Sequence, residues 1–397
     1  MYPNVADYRA AARRRLPRIA FDYLDGGAED GRALQRNLDA YGRILLSPRV
    51  LRDLSSCSTQ AEWFGRRHAA PMVIGPTGLN GLFWPRADEA LAGAAAAAGL
   101  PFALSSASTS LLEDVRTAVP DGDLWLQLYV QSERRIAEDM MRRAQEAGFS
   151  TLLLTVDTPV HGKRDHDMRN GFKLPLRVSP ALLWDLVRNP HWSLQMARHG
   201  GPQLRNIARS LGEAPNLESQ AAALSRQMDL TLNWSDMAWL RRHWRGPVIV
   251  KGIQAVDDAR LAVEHGVDGI VLSNHGGRQL ESACAPLDVL PAVADAVGHK
   301  LKVFVDGGVR RGADVVKAVA LGACGVLLGR APLYGLAARG GPGAREVLAL
   351  LTDEMLITLR LLGCNSLEDL GAHTIAAPSA SVPDNPAALG QRSSAAA

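Results

Sequence analysis

The sequence has few cysteines and almost no net charge, and both features narrow its possible functions. Its four cysteines, at positions 57, 284, 324 and 364, lie far apart, and no CxxC pair occurs among them. This spacing indicates neither a disulfide framework nor a metal site, and it favours a reducing compartment. A formal net charge of +3 over 397 residues gives no electrostatic reason to expect nucleic acid as a partner.

Long apolar segments are also scarce. The first 21 residues, MYPNVADYRAAARRRLPRIAF, lack the apolar core that is typical of a signal peptide. Residues 90–112 contain no charged side chain, a length that could span a bilayer. Alanine dominates this segment, and glycine, proline and a Ser/Thr run interrupt it. We therefore predict an alanine-rich helix followed by a buried strand, and a cytoplasmic protein without a transmembrane span.

Apolar runs of strand length recur eight times along the chain. They are PMVIGPTG (71–78), PFALSS (101–106), LWLQLYV (124–130), TLLLTVDTP (151–159), PVIVKG (247–252), GIVLSNHG (269–276), KVFVDGG (302–308) and GVLLGR (325–330). Polar and apolar residues do not alternate in them, as expected for strands covered on both faces of a parallel sheet. Helix-like segments separate most of the runs, so either a (β/α)8 barrel or an open doubly wound sheet is possible.

The positions of the polar residues favour the (β/α)8 TIM barrel. Polar side chains stand at or near the carboxyl end of each run, and in a barrel these ends converge on one mouth, where active sites lie. Residues 1–65 are predicted to form an N-terminal helical segment, in which Gly26 and Gly27 end one helix and Asp30 caps the next. Residues 66–375 form the predicted barrel, with a long insertion at about 174–230 after strand four. Residues 376–397, rich in Ala, Ser and Pro, are predicted to be a flexible tail.

The loops after the last two predicted strands have the composition of a phosphate site. Glycines allow backbone amides to approach an anion, a helix N-terminus follows, and arginines add charge-assisted hydrogen bonds. The residues concerned are Asp306, Gly307, Gly308 and Arg310 after strand seven, and Gly329 and Arg330 after strand eight. Solvent-facing arginines in tight turns would explain either loop alone, but both loops together favour a phosphorylated cofactor.

The remaining strand ends supply groups for acid–base chemistry. His275 closes strand six and Asp157 closes strand four, near enough around the ring to hold a histidine general base in one tautomer. Lys251 closes strand five, where it can stabilise negative charge on a bound ring or form a Schiff base. Arg164 and Arg278 suit a small carboxylate, and Tyr23 and Tyr129 supply hydroxyl donors. Each residue alone could be structural, but together they are complementary.

These motifs resemble the FMN-dependent α-hydroxy acid dehydrogenase/oxidase family over nearly the whole chain. The segments that carry the resemblance include DYLDGGAED, GPTGLNGL, QLYV, TVDTPVHGKRDHDMRNGF, SNHGGRQLE and LLGRAPLYGLAARG. The family's strand-six motif usually ends in Asp, whereas Glu281 stands here. The resemblance implies FMN as cofactor, oxidation of a 2-hydroxy acid to a 2-oxo acid, and a homotetramer. It leaves open whether His275 removes the Cα proton or the hydroxyl proton.

The resemblance also assigns roles to individual residues. His275 would be the base, paired with Asp157, and Lys251 would stabilise the reduced flavin. Arg164, Arg278, Tyr23 and Tyr129 would bind the substrate. The remaining residues would bind FMN: Pro76, Thr77, Gly78, Ser105, Gln127, Thr155, Lys251 and Ser273 along the flavin and ribityl chain, and Asp306, Gly307, Gly308, Arg310, Gly329 and Arg330 at the ribityl–phosphate end.

Three positions bear on the substrate's side chain. Ala107 and Gly78 are small and leave room for a phenyl ring, and within the family the chain most resembles the branch that oxidises (S)-mandelate. His161 should border the same side chain, where it could favour a ring hydroxyl or bond to the backbone. We therefore expect (S)-mandelate or another bulky 2-hydroxy acid, with L-lactate as the alternative.

The insertion contains a basic segment with interleaved tryptophans at 177–207. Such a segment can lie in a bilayer interface and attract anionic lipid, but an active-site lid or an oligomer contact is an equal alternative. A membrane surface would favour a quinone as electron acceptor and a location on the cytoplasmic face of the inner membrane, whereas oxygen or a separate carrier stays open. Competing functions are a non-redox FMN isomerase barrel and a non-catalytic barrel that binds a phosphorylated ligand.

Overall fold

The structure, a computed structural model that describes residues 1–171, 180–211 and 228–376, contains a closed barrel of eight parallel strands. The strands follow one another around the ring in chain order: β1 (Met72–Ile74), β2 (Phe102–Ser105), β3 (Leu124–Leu128), β4 (Thr151–Thr155), β5 (Val248–Ile253), β6 (Gly269–Leu272), β7 (Lys302–Asp306) and β8 (Gly325–Leu328). β8 pairs with β1 and closes the barrel. The predicted (β/α)8 barrel is confirmed.

Helices surround the barrel and precede it. In chain order they are α1 (Val5–Arg15), α2 (Arg18–Asp25), α3 (Arg32–Arg43), α4 (Ala87–Ala97), α5 (Leu112–Ala118), α6 (Arg134–Glu146), α7 (Asp165–Arg169), α8 (Pro180–Arg188), α9 (Pro190–His199), α10 (Arg205–Ser210), α11 (Met237–His243), α12 (Val256–Glu264), α13 (Pro286–Val297), α14 (Gly312–Ala320) and α15 (Arg330–Leu362). Within α15 the backbone is non-helical at Gly340, which divides the helix by a kink.

The barrel interior is a packed apolar core. Its strands are buried on both faces, which explains why their sequences read as continuous apolar runs. At the amino-terminal end a hairpin of Ala61–Trp63 and Arg66–His68 closes the barrel. Trp63 is 2% exposed, lies edge-on to Phe304 at 5.0 Å between ring centroids, and donates its indole N–H to the carbonyl of Cys324. This plug leaves the carboxyl end of the barrel as its open mouth.

The N-terminal helices approach that mouth. α2 ends at Gly26, as predicted, but Asp30 does not cap α3, so that prediction was wrong. Gly31 is the N-cap residue and has no side chain, and the Glu281 carboxylate accepts hydrogen bonds from the backbone N–H groups of Arg32 and Ala33 instead. The residue that departs from the family motif therefore caps a helix from a distant loop and stabilises its positive end.

The charge-free segment 90–112 forms the end of α4, then β2, as predicted. None of the helices among the described residues is long and apolar enough to cross a membrane. Part of the predicted insertion forms α8, α9 and α10, whereas Arg177 and residues 377–397 of the predicted tail lie outside the described residues. Trp192, one of the two tryptophans in the basic segment 177–207, is buried and donates a hydrogen bond to the Leu82 carbonyl at 2.7 Å.

Candidate active site

One cavity at the carboxyl ends of the strands brings most of the predicted site residues together. The predicted residues that line it are Tyr23, Pro76, Thr77, Gly78, Ser105, Ala107, Tyr129, His161, Arg164, Lys251, His275, Arg278, Asp306, Gly307, Gly308, Arg310, Gly329 and Arg330. Four others stand behind this lining, namely Gln127, Thr155, Asp157 and Ser273. Each of the four is hydrogen-bonded directly or through one intermediate to a residue that does line the cavity.

His275 is held in the geometry of a general base. Its Nδ1 lies 2.9 Å from Oδ1 of Asp157, and its Nε2 faces the Tyr129 hydroxyl at 3.4 Å. The backbone of His275 is left-handed, with φ of 58°, so the chain turns sharply after β6. Burial alone would raise the pKa of the Asp157 carboxyl, but the charges of His275 and Lys251 outweigh it and lower the pKa. A carboxylate that stays ionised stabilises an imidazolium on the ring that it orients.

Lys251 connects the base to the cofactor side of the cavity. Its ammonium donates to Ser273 Oγ at 2.7 Å and pairs with Asp306 at 3.0 Å. Ser273 Oγ also accepts from the backbone N–H of His275. Burial acts to lower the pKa of Lys251, yet the carboxylates of Asp306 and Asp157 reverse the shift and raise it. Lys251 is therefore a fixed, buried positive charge, which suits charge stabilisation and not Schiff-base chemistry.

Two guanidinium groups are fixed by the carbonyl end of α2. Arg278 donates to the carbonyls of Tyr23 and Gly26, and Arg330 donates to that of Gly26 and, at 3.2 Å, to that of Leu24. Burial, together with neighbouring arginines, lowers the pKa of Arg278 to about 9 and lowers that of Arg330 as well. Among the described residues neither arginine forms an ion pair with a carboxylate. The cavity therefore has an excess of buried positive charge and suits an anionic ligand.

The other end of the cavity fits a phosphorylated, hydroxyl-rich cofactor. Gly308 has φ of 97°, and a Cβ there would lie 2.2 Å from the Asn37 carbonyl oxygen, so only glycine permits the turn. Arg310 lines the cavity beside this turn. Two buried oxygens, Thr77 Oγ1 and Asp306 Oδ1, have no hydrogen-bond partner within the described part of the chain, and both residues line the cavity. These groups match the hydrogen-bonding needs of a flavin and its ribityl phosphate.

Behind the lining, a chain of side chains holds Ser105 in place. Ser105 Oγ donates to Gln127 Oε1 at 2.7 Å, and Gln127 Nε2 donates to Thr155 Oγ1 at 3.0 Å. All three side chains are buried. Gln127 and Thr155 are therefore placed to orient Ser105, which lines the cavity.

Several residues that line the cavity were not predicted from the sequence. Leu24 and Phe83 reach the cavity from segments whose sequences read as ordinary apolar structure. Thr158 lines it too, and its buried hydroxyl has no partner among the described residues. Thr158 directly follows Asp157, so its position after β4 was the one available signal.

Comparison with known proteins identifies the family. Residues 12–377 match the FMN-dependent dehydrogenase family. The chain belongs to this family. Its cofactor is FMN, and the family oxidises (S)-2-hydroxy acids. The residues around the cavity therefore agree with the family's cofactor, because the cavity offers a phosphate turn, buried cations and unpaired buried oxygens.

Proteins of this family that are similar to the chain differ in the substrate for which they are named. The chain is 47% identical to (S)-mandelate dehydrogenase from Pseudomonas putida, over 92% of each chain. It is 43% identical to an L-lactate dehydrogenase from Caulobacter sp. (strain K31), over 94% of this chain and 98% of the relative. A crystal structure of the monotopic membrane protein (S)-mandelate dehydrogenase aligns with a TM-score of 0.91 at 46% identity, covering 94% of this chain and 99% of that chain.

Proposed function

We propose that this 2-hydroxy acid dehydrogenase oxidises (S)-mandelate to benzoylformate and passes the electrons to a membrane quinone. The observation that carries the substrate proposal is the pair Gly78 and Ala107, two small residues that line the cavity and contact each other. A Cβ built at Gly78 would lie 3.1 Å from the Ala107 Cβ, so the two residues are in contact. Because neither has a side chain longer than a methyl group, the part of the cavity that they line stays open. A phenyl group needs that space, whereas the methyl group of lactate does not.

The proposed mechanism assigns each proton and charge to a residue. Arg278 and Arg164 bind the substrate carboxylate, and Tyr23 and Tyr129 orient its oxygens. His275 accepts a proton from the substrate, and Asp157 stabilises the resulting imidazolium through the 2.9 Å hydrogen bond. FMN, when bound, accepts the two electrons that leave the substrate. Lys251 supplies a fixed positive charge that favours added negative charge on the cofactor.

Burial favours this assignment for Tyr129 and the arginines. Burial raises the pKa of the Tyr129 hydroxyl far above its ordinary value, so it stays a hydrogen-bond donor at any physiological pH. Arg164 Nε is buried and has no partner among the described residues, and Arg164 lines the cavity. An incoming carboxylate would satisfy that donor and compensate the positive charge that Arg164 and Arg278 impose on each other.

Support for a membrane surface comes from an exposed apolar patch on α8 and α9. Leu183, Trp184, Val187 and Leu194 expose between 50% and 70% of their surface, with Arg188 beside them. Apolar side chains with nearby arginines suit the interface of a bilayer that contains anionic lipid. A protein bound at the membrane surface would lie beside the bilayer in which quinones dissolve. The similarity to a monotopic membrane protein agrees with this proposal.

One experiment tests substrate and acceptor together. The FMN-loaded protein is mixed anaerobically with (S)-mandelate, L-lactate or glycolate, and flavin bleaching is followed; the reduced protein is then mixed with a soluble quinone or with oxygen. We expect mandelate to reduce the flavin fastest and the quinone to reoxidise it faster than oxygen does. Fast reduction by lactate with none by mandelate would overturn the substrate proposal. Reduction by no 2-hydroxy acid would favour a non-redox barrel. Light scattering would test the predicted homotetramer.

A further inference from the structure

A buried carboxylate outside the cavity joins the two loops that carry Gly78 and Ala107. Asp88 lies in the first turn of α4 and is fully buried. Its Oδ1 accepts from Asn80 Nδ2 at 2.8 Å, in the loop after β1. Its Oδ2 accepts from the backbone N–H and hydroxyl of Thr109, each at 3.1 Å, and from the backbone N–H of Ser110 at 3.2 Å, in the loop after β2. One carboxylate thus binds both loops.

The loops also contact each other through groups that Asp88 orients. The Thr109 hydroxyl donates to Asp88 and accepts from the backbone N–H of Gly81 at 2.9 Å. The backbone N–H of Leu79 donates to the Ala107 carbonyl at 3.1 Å. Displacing Thr109 would therefore move residues 79–81 relative to 107–109. Because Gly78 and Ala107 are the adjoining residues that line the cavity, such a shift would change the space open to a substrate side chain.

We infer that Asp88 is a positioning residue that sets substrate specificity by fixing the distance between the loops after β1 and β2. Burial raises its pKa to about 6, against which the hydrogen bond from Asn80 acts, so the ionised form is held at an energetic cost. A carboxylate accepts at both oxygens, whereas an amide or a protonated carboxyl group presents a donor to at least one of these N–H groups. The inference rests on the proposed function only for the role of Gly78 and Ala107. We call these two residues the specificity wall, because they limit the space for the substrate side chain.

The test compares Asp88→Asn with a matched control on the same helical turn. Glu89 is also buried, but it accepts a hydrogen bond from Ser110 Oγ and pairs with Arg86, and within the described part of the chain it bonds to neither Asn80 nor Thr109. We expect Asp88→Asn to change the ratio of kcat/KM for (S)-mandelate to that for L-lactate by about tenfold, mainly through KM, while FMN stays bound. Glu89→Gln should leave the ratio within about twofold. Equal loss for both acids, or loss of FMN, would overturn the inference.

A second variant keeps the test decisive if Asp88→Asn does not fold. Thr109→Val removes the hydroxyl that bridges Asp88 and Gly81, and Thr109→Ser retains it. We expect the valine variant to change the ratio of kcat/KM for (S)-mandelate to that for L-lactate and the serine variant to keep the wild-type ratio. Binding of phenylacetate, which lacks a hydroxyl to oxidise, followed by flavin absorbance, should weaken more than binding of acetate. An unchanged ratio and unchanged phenylacetate binding in Thr109→Val would contradict the inference.

The role of Asp88 can be tested even if the proposed function is wrong. If the wild-type protein does not oxidise mandelate, the same ratio is measured between L-lactate and any longer 2-hydroxy acid that it does oxidise. A shift in that ratio supports the role of Asp88 even though mandelate is not the substrate. A constant ratio for every such pair overturns that role whatever the physiological substrate is.

Discussion

His275 and Asp157 are 118 residues apart in the sequence, yet Nδ1 of His275 lies 2.9 Å from Oδ1 of Asp157. Neighbouring parallel strands make this possible, because β4, β5 and β6 all end at the same mouth. A bond to Nδ1 leaves Nε2 facing the cavity beside Tyr129. The pair therefore presents the one ring nitrogen that can accept a proton from a bound substrate.

Replacing Asp157 by Asn should slow flavin reduction by about 10²–10⁴-fold. The amide retains the size of the side chain but cannot stabilise an imidazolium by charge. Anaerobic stopped-flow measurement of flavin bleaching gives the rate directly, and the visible spectrum shows whether FMN remains bound. Asp157 would have no such role if the variant reduced its flavin at the wild-type rate.

Replacing Arg278 by Lys should lower kcat/KM by about 10–100-fold, with most of the change in KM. Arg278 donates to the carbonyls of Tyr23 and Gly26 through one guanidinium nitrogen and lines the cavity, so its other nitrogens can bind a carboxylate. A lysine carries its donors on a single nitrogen, so it cannot hold both carbonyls and also offer a bidentate pair to a carboxylate. Steady-state kinetics with a 2-hydroxy acid and its amide separates charge recognition from general damage. The amide should lose much less, and an equal loss for both compounds would contradict carboxylate binding.

Replacing Ala107 by Leu should exclude mandelate selectively. Ala107 is 5% exposed and contacts Gly78, so three added carbons must enter the cavity or push the loops apart. We expect kcat/KM for (S)-mandelate to fall about 100-fold and that for L-lactate to change by less than about fivefold. Unchanged mandelate turnover would remove Ala107 from the specificity wall.

If the apolar patch on α8 and α9 binds the membrane, polar substitutions in it should release the protein from the membrane fraction and leave its catalytic activity unchanged. Trp184→Ser combined with Val187→Ser should move the protein from the membrane fraction to the soluble fraction and leave anaerobic flavin reduction intact. A matched control is Ile357→Ser with Leu361→Ser on α15, since those residues are 56% and 68% exposed, against 64% and 70% for the test pair. The proposal fails if wild type and both variants fractionate alike. Deleting the helices would be a poorer test because buried Trp192 bonds to Leu82.

The barrel was predictable because strand burial leaves a strong local signal. Every observed strand lies within its apolar run, except that β5 extends one residue further, to Ile253. The cavity followed from the strand ends, since parallel strands bring their carboxyl ends together whatever the loops do. The residues His275, Lys251 and Arg330 could therefore be placed in one cavity without any knowledge of the loops.

Contacts between distant segments were not predictable in the same way. Glu281, and not the adjacent Asp30, caps α3, and Trp192 turns inward although its neighbours face solvent. The carbonyls of Tyr23 and Gly26, which fix the arginines, carry no side-chain signal at all. In each case the partner is set by how one segment packs on another, and helical or strand periodicity does not encode that choice.

The stability of Asp88→Asn relative to wild type should depend on pH, and the sign follows from the raised pKa. Burial raises the pKa of Asp88 from 3.8 to about 6, so between these values the folded protein binds more protons at this site than the unfolded chain. Wild-type stability therefore falls as pH rises through that window and levels off above it, by up to about 3 kcal/mol. Asn does not titrate, so the Tm difference should shift in favour of Asp88→Asn from pH 4 to pH 7. A constant difference, or a shift in favour of wild type, would show that Asp88 is not a carboxylate ionised at a cost.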